Sequence, residues 1–327
     1  MALIGASLTA MVLGLSFFSV AAAMEQVNVA TPSHGLIELP VVVAMRNGYF
    51  RTERLEIQKV QIEPEVAVKA LVAGEVNFSL AWEASVRAAA GGLPIKMLAA
   101  IVAKPPYVLM SRPVVRSGRD LRGKTLGIDE LGSTTDYLSR MAVRYLGIEP
   151  GKLEFVEFGN TALRLAALKA GEIQAAVFDL TGAIKAEQQG MKRLVPIGEI
   201  IEYPMLGVAV TTTQLATKRK QTMKFIRAVL RGARFIKQNR AETIPIMQRH
   251  LKVTAREAAQ TYDWAAPYFT EDGLILDRLL ALSVRQARDE GQPAKDSELR
   301  QVADWSVVKE IMAERRKVPF WLKRYDP

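Results

Sequence analysis

Residues 121–147, LRGKTLGIDELGSTTDYLSRMAVRYLG, read as a strand, a glycine turn and a helix. The run 124–128 is short and mostly apolar, and Gly132, Ser133, Thr134 and Thr135 then supply a turn followed by hydroxyls suited to an N-cap. The helix that follows keeps Leu138, Met141, Ala142 and Tyr145 on one face, at spacings of three and four. Its first backbone amides and the positive end of its dipole make the turn a site for an anion or another hydrogen-bond acceptor. The same residues equally suit an ordinary capped helix.

This unit occurs twice, 97 residues apart. ALVAGEVNFSLAW at 70–82 matches ALKAGEIQAAVFD at 167–179, with Ala-Leu-x-Ala-Gly-Glu intact. The same offset places Thr125, Leu126 and Gly127 on Asn28, Val29 and Ala30, and Gly132 on Gly35. Each copy runs strand, glycine turn, helix, strand, helix, Gly-Glu, strand. The period is too long for a solenoid and fits two copies of one small α/β lobe.

Residues 1–23 carry no charge, are mostly apolar and end in Ala21, Ala22 and Ala23. They are expected to be a secretion signal cut near Ala23, although the basic start of such a signal is missing; the alternative is an uncut anchor. With no cysteine the chain has neither a disulfide nor a lipid-attachment thiol, so a periplasmic location is expected.

About 300 residues then remain, enough for two lobes with their own cores. The net charge of +10 belongs to that part, and nine of its positive residues fall in 218–240. There Lys220, Lys224, Arg227, Arg231 and Arg234 form a stripe beside Met223, Ile226, Leu230 and Ala233. Such a stripe suits nucleic acid or anionic lipid, but for an exported chain a solvated helix face is expected instead.

Strands are expected at 27–31, 55–60, 76–82 and 95–102, with helices between them. Pro105, Pro106 and Tyr107 precede an extended run at 108–111, and Tyr203 and Pro204 precede another at 206–211. These proline-marked segments are the expected crossings between lobes. From residue 213 the pattern turns helical, in a segment without a partner repeat that is expected to pack on lobe one and tie the lobes together.

The chain resembles the nitrate/sulfonate/taurine type of substrate-binding protein that serves ABC importers, a group that includes thiamine-precursor binders. The resemblance is carried by Arg46-Asn47-Gly48-Tyr49-Phe50, the two Ala-Gly-Glu strands, Asp120-Leu121-Arg122-Gly123-Lys124 and Leu131-Gly132-Ser133-Thr134. It implies the type II periplasmic binding protein fold: two α/β lobes, two hinge crossings and a ligand in the cleft between them. Lobe one is expected to span 24–111 and 206–327, and lobe two 112–205. The function implied is capture of a small organic anion or zwitterion, sulfonate- or taurine-like, for delivery to a membrane permease. The alternatives are a thiamine precursor, another heterocycle or aromatic acid, or a binder that signals to a membrane sensor. A monomer is expected, with no cofactor, no metal and no nucleic acid.

Ligands of open α/β sheets lie beyond the carboxyl ends of the strands. The positions that fall there are Ser33, His34, Trp82, Glu83 and Tyr107 on one side. On the other are Gly132, Ser133, Thr134, Asn160, Asp179 and Tyr203. No Arg or Lys is expected at a strand end in the cleft, and Glu83 and Asp179 add negative charge. That balance suits an acid carrying an amine, or a heterocycle stacked on Trp82. The fungal pyrimidine-precursor synthase, which the family also resembles, needs histidines and cysteines; this chain has only His34 and His250 and no cysteine. No nucleophile elbow, phosphate loop or metal-spaced set is present, so catalysis is not expected.

Overall fold

The computed structural model describes residues 23–32, 34–289 and 299–317. The expected secretion signal, the candidate contact Ser33 and the C-terminal tail from 318 lie outside the described residues.

Among the described residues ten strands occur in the order β1 (Glu25–Thr31), β2 (Leu55–Gln61), β3 (Phe78–Ala81), β4 (Ile95–Val102), β5 (Tyr107–Ser111), β6 (Thr125–Ile128), β7 (Glu154–Glu157), β8 (Ala175–Asp179), β9 (Lys192–Pro196) and β10 (Leu206–Thr211). They form two five-stranded sheets, β2-β1-β3-β10-β4 and β7-β6-β8-β5-β9. The two orders are the same once each lobe's own strands are matched. In each sheet the fourth strand is antiparallel to its neighbours and comes from the far side of a crossing: β5 follows copy one but pairs with β8 and β9, and β10 follows copy two but pairs with β3 and β4. The repeats exchange their last strands. The first crossing therefore lies at 103–106, and 107–111 belongs to the second sheet rather than to lobe one as the sequence suggested.

Around sheet one sit α1 (Leu39–Arg46), α2 (Tyr49–Thr52), α3 (Pro64–Ala73) and α4 (Trp82–Ala90). Around sheet two sit α5 (Thr134–Tyr145), α6 (Thr161–Ala170), α7 (Leu180–Gln188) and α8 (Ile197–Ile200). The repeated Ala-Gly-Glu has a simple cause: Gly74 ends α3 at φ +79° and Gly171 ends α6 at φ +88°. A left-handed residue stops a helix and turns the chain toward the next strand, and glycine adopts it without a Cβ penalty.

The helical extension comprises α9 (Thr212–Thr217), α10 (Arg219–Gln238), α11 (Arg240–Leu251), α12 (Ala255–Ala265), α13 (Asp277–Asp289), α14 (Leu299–Val302) and α15 (Ser306–Lys317). Helix α10 lies along α1, where Gly232 lets the two backbones approach at the carbonyl of Pro40. Phe225 of α10 stacks between Phe50 and Phe78, with ring centroids 5.5 and 4.1 Å apart. The basic stripe is not a solvated face. Lys224 pairs with Glu25 at 2.5 Å, Arg227 with Glu53 at 2.9 Å and Glu314 at 2.6 Å, and Arg231 lies 4.0 Å above the ring of Tyr49. Acidic and aromatic groups of β1, α2 and α15 meet these cations as the helix packs, which removes the repulsion a free stripe would carry.

The extension also touches lobe two. Gln260 of α12 donates to Glu187 of α7 at 3.1 Å, Arg193 lies 4.2 Å above the ring of Trp264, and Arg278 of α13 pairs with Glu202 at 2.5 Å. Among the described residues no helix is long and apolar enough to cross a membrane.

Candidate functional site

The carboxyl end of sheet two is ringed by the starts of three helices. Ser133 caps α5, its Oγ accepting from the amide of Asp136 at 3.3 Å; Asn160 caps α6, accepting from Leu163 at 3.0 Å; Asp179 caps α7, accepting from Gly182 at 2.7 Å. Gly132, at φ +77°, makes the turn before α5 and donates its amide to Asp136 at 3.0 Å. These polar side chains are used by their own helices, since a helix start leaves several N–H groups to satisfy. Each cap leaves earlier amides open. Among the described residues no acceptor takes the amides of Thr134 and Thr135 in α5, Thr161 and Ala162 in α6, or Thr181 in α7.

At the centre of this ring is a residue the sequence did not flag. Arg164 of α6 is 2% exposed and forms an ion pair with Asp129, the residue just after β6. Its Nη2 donates to the hydroxyl of Thr161 at 3.3 Å, its guanidinium lies 5.4 Å from the Phe178 ring, and its Nε has no partner among the described residues. Burial lowers its pKa to about 10, opposed by Asp179 and Tyr107 close by, so it stays a cation. Tyr107 faces Asp179 across the β5–β8 pairing, and burial, reinforced by that carboxylate, pushes its phenol up. A usable signal existed: Arg164 falls on the inward stripe of α6 with Leu165 and Leu168, where a charged residue is out of place.

The second crossing brings the lobes together. Tyr203 is 2% exposed, its ring 5.5 Å from that of Tyr137 in α5, and its hydroxyl has no hydrogen-bond partner among the described residues. Burial raises its pKa, and the next largest contribution is the carboxylate of Glu83 from lobe one. Glu83 is itself raised, by burial first and by Glu65, against the pull of Arg87.

Trp82 is not a pocket wall. It opens α4, is 1% exposed, and donates its indole N–H to Ser283 of α13 at 3.1 Å, so no ligand ring stacks on it here. His34 is exposed, with Nδ1 3.3 Å from Lys59, which holds the fully buried Glu38 at 2.5 Å. His250 meets the carbonyl of Gly35 at 3.0 Å. Thus Asp129, Arg164, Asp179, Tyr107 and the open amides come together at lobe two, and Glu83 with Tyr203 and Tyr137 at the return crossing. Among the described residues no set of His, Cys, Asp and Glu is spaced to hold a metal.

Two sheets that exchange one strand across two crossings are the plan of a periplasmic-binding-protein fold, with the polar ring at the strand ends where ligands enter. Residues 38–243 match the family described as NMT1/THI5 like, and the chain belongs to that family. It is similar to the riboflavin-binding protein RibY of Chloroflexus aurantiacus, 25% identical over 201 residues, 59% of this chain and 57% of that protein. The match thus spans little more than half of that relative's length. Among solved structures it is similar to the periplasmic aliphatic sulphonate binding protein SsuA from Escherichia coli, at TM-score 0.71 and 16% identity, over 85% of this chain and 96% of that one. It is also similar to the desulfurization enzyme DSZB, at TM-score 0.70 and 12% identity, over 89% and 100%. At such identities the likeness is one of fold.

Proposed function

We propose that the protein is the solute-binding component of an ABC importer, a periplasmic monomer that captures a small organic anion or zwitterion in the cleft and delivers it to a membrane permease. The observation that carries this is the convergence of three helix starts with open amides around the buried cation Arg164. Backbone N–H groups at helix starts suit sulfonate or carboxylate oxygens, and a guanidinium adds charge-assisted hydrogen bonds. Binding without turnover is the better account, because both histidines are occupied in lobe one, at Lys59 and at Gly35, away from Arg164.

The phenols of Tyr137, Tyr203 and Tyr107 favour a second reading, a heterocyclic or aromatic ligand, to which the RibY relative adds weight. One screen separates the two. The purified protein is melted with taurine, propanesulfonate, benzoate, a thiamine-precursor pyrimidine and riboflavin, and the ligand is then recovered. An acid at a hundred times its dissociation constant adds roughly 2.7 kcal/mol and raises the melting temperature of a chain of this length by about 4 °C. A shift with riboflavin or the pyrimidine alone favours the heterocycle, and a chemically altered ligand defeats the binder reading.

A further inference from the structure

We infer that Asp129 is a built-in competitor for the ligand, its carboxylate holding the guanidinium of Arg164 that the ligand's acid group takes over on binding. This rests on the anion site proposed above.

Two carboxylates, Asp129 and Asp179, stand beside one guanidinium, so the buried group carries a surplus negative charge. They are not equally free to leave. Asp179 accepts from the Thr181 hydroxyl through both oxygens, at 3.0 and 2.9 Å, and from the amide of Gly182, and these bonds fix it as a cap. The side chain of Asp129 is 34% exposed and its ion-pair partner is Arg164. Its backbone is held, with the amide donating to Thr135 Oγ1 at 2.8 Å and the carbonyl accepting from Gly159 at 3.0 Å. Release of Arg164 therefore needs only a side-chain rotation of Asp129 into solvent.

Arg164 also has capacity to spare. A buried charged donor without an acceptor is costly, and its open Nε is such a donor. A sulfonate or carboxylate has two or more oxygens, one for Nε and another for the nitrogen Asp129 vacates, which matches the forked geometry of a guanidinium. Exchange keeps the net charge of the centre unchanged and satisfies an atom that the resting state leaves bare.

The exchange makes two variants move affinity in opposite directions. Propanesulfonate and benzoate are titrated calorimetrically into the wild type, Asp129→Asn, Arg164→Lys and Arg164→Gln. Removing the competing charge in Asp129→Asn should tighten both acids roughly tenfold, and Arg164→Gln should weaken them roughly tenfold or more. Arg164→Lys, which keeps the charge without the fork, should fall between wild type and Arg164→Gln. If Arg164→Gln fails to fold by circular dichroism, Asp129→Asn and Arg164→Lys decide alone. Wild-type binding with Asp129→Asn unchanged or weaker overturns the exchange but leaves the anion site standing. No binding of either acid to the wild type overturns the anion site itself, and the exchange with it.

Discussion

The indole N–H of Trp82 and the hydroxyl of Ser283 meet at 3.1 Å across 201 residues of sequence, fastening α13 to the start of α4. Ser283 in turn donates to the carbonyl of Leu279 at 3.2 Å, so the bond links lobe one to the extension. Trp82→Phe should lower stability by about 2 kcal/mol through lost packing and the lost bond. Affinity for whichever acid binds the wild type should not change. Urea denaturation and calorimetry on the same preparation check both halves, and a loss of affinity at full stability would return Trp82 to the pocket.

Asp179 caps α7, so its substitutions should sort by capping ability. Asparagine caps as well as aspartate, whereas alanine loses the bond to Gly182. Asp179→Ala is expected to cost about 1 kcal/mol in urea denaturation and Asp179→Asn a few tenths. Equal losses for the two would mean that the charge beside Arg164, not the cap, is what Asp179 contributes.

His250 gives stability a dependence on pH. Burial depresses its pKa below the ordinary 6.5, only partly offset by the bond to Gly35. Lys59 and His34 push the same way, and Glu38 opposes them. The folded state thus binds the proton less readily than the unfolded chain, so the stability is present above about pH 6.5 and is lost as the pH falls through and below that value. His250→Gln, which retains a donor for Gly35, should flatten the melting temperature between pH 7.5 and 5.

At Gly232 a side chain has nowhere to go. An added Cβ would collide with the carbonyl of Pro40 and lie 3.1 Å from the amide of Ala44, both backbone atoms of α1. Gly232→Ala should therefore cost about 3 kcal/mol, at the upper end for overpacking, read from the denaturation midpoint. A neutral or stabilising result would show that α10 and α1 can part.

The duplication was legible because its most visible residues do local backbone work: Gly74 and Gly171 each end a helix. Of the strand exchange, the return of 206–211 to lobe one is expected from the sequence and the transfer of 107–111 to lobe two is not, since only long-range pairing decides which sheet β5 joins. Trp82 was misplaced by a single position. The strand ends at Ala81 and Trp82 is the first helical residue, so its side chain turns under α13 while Glu83, one step around the helix, faces the crossing. Arg164 escaped because its partner in the first repeat is Ala67, and a comparison of copies carries no hint of a charge found in one alone. Ser133, Asn160 and Asp179 stand at the strand ends as caps of α5, α6 and α7, because the same small polar residues that bind ligands also cap helices.

The exchanged strands impose an order on folding. Sheet two is built from one continuous stretch, 107–196, and its pairings can form as soon as that stretch is available. Sheet one cannot close in the same way. Its strand β10 sits between β3 and β4, yet is separated from β4 along the chain by the whole of lobe two. Until residue 211 has returned, β4 has no neighbour in its sheet, and the hydrophobic faces of β3 and β4 stay unjoined. Lobe two is therefore expected to fold as a nearly local unit, and lobe one, begun first, to be completed last, after closure of a loop about a hundred residues long.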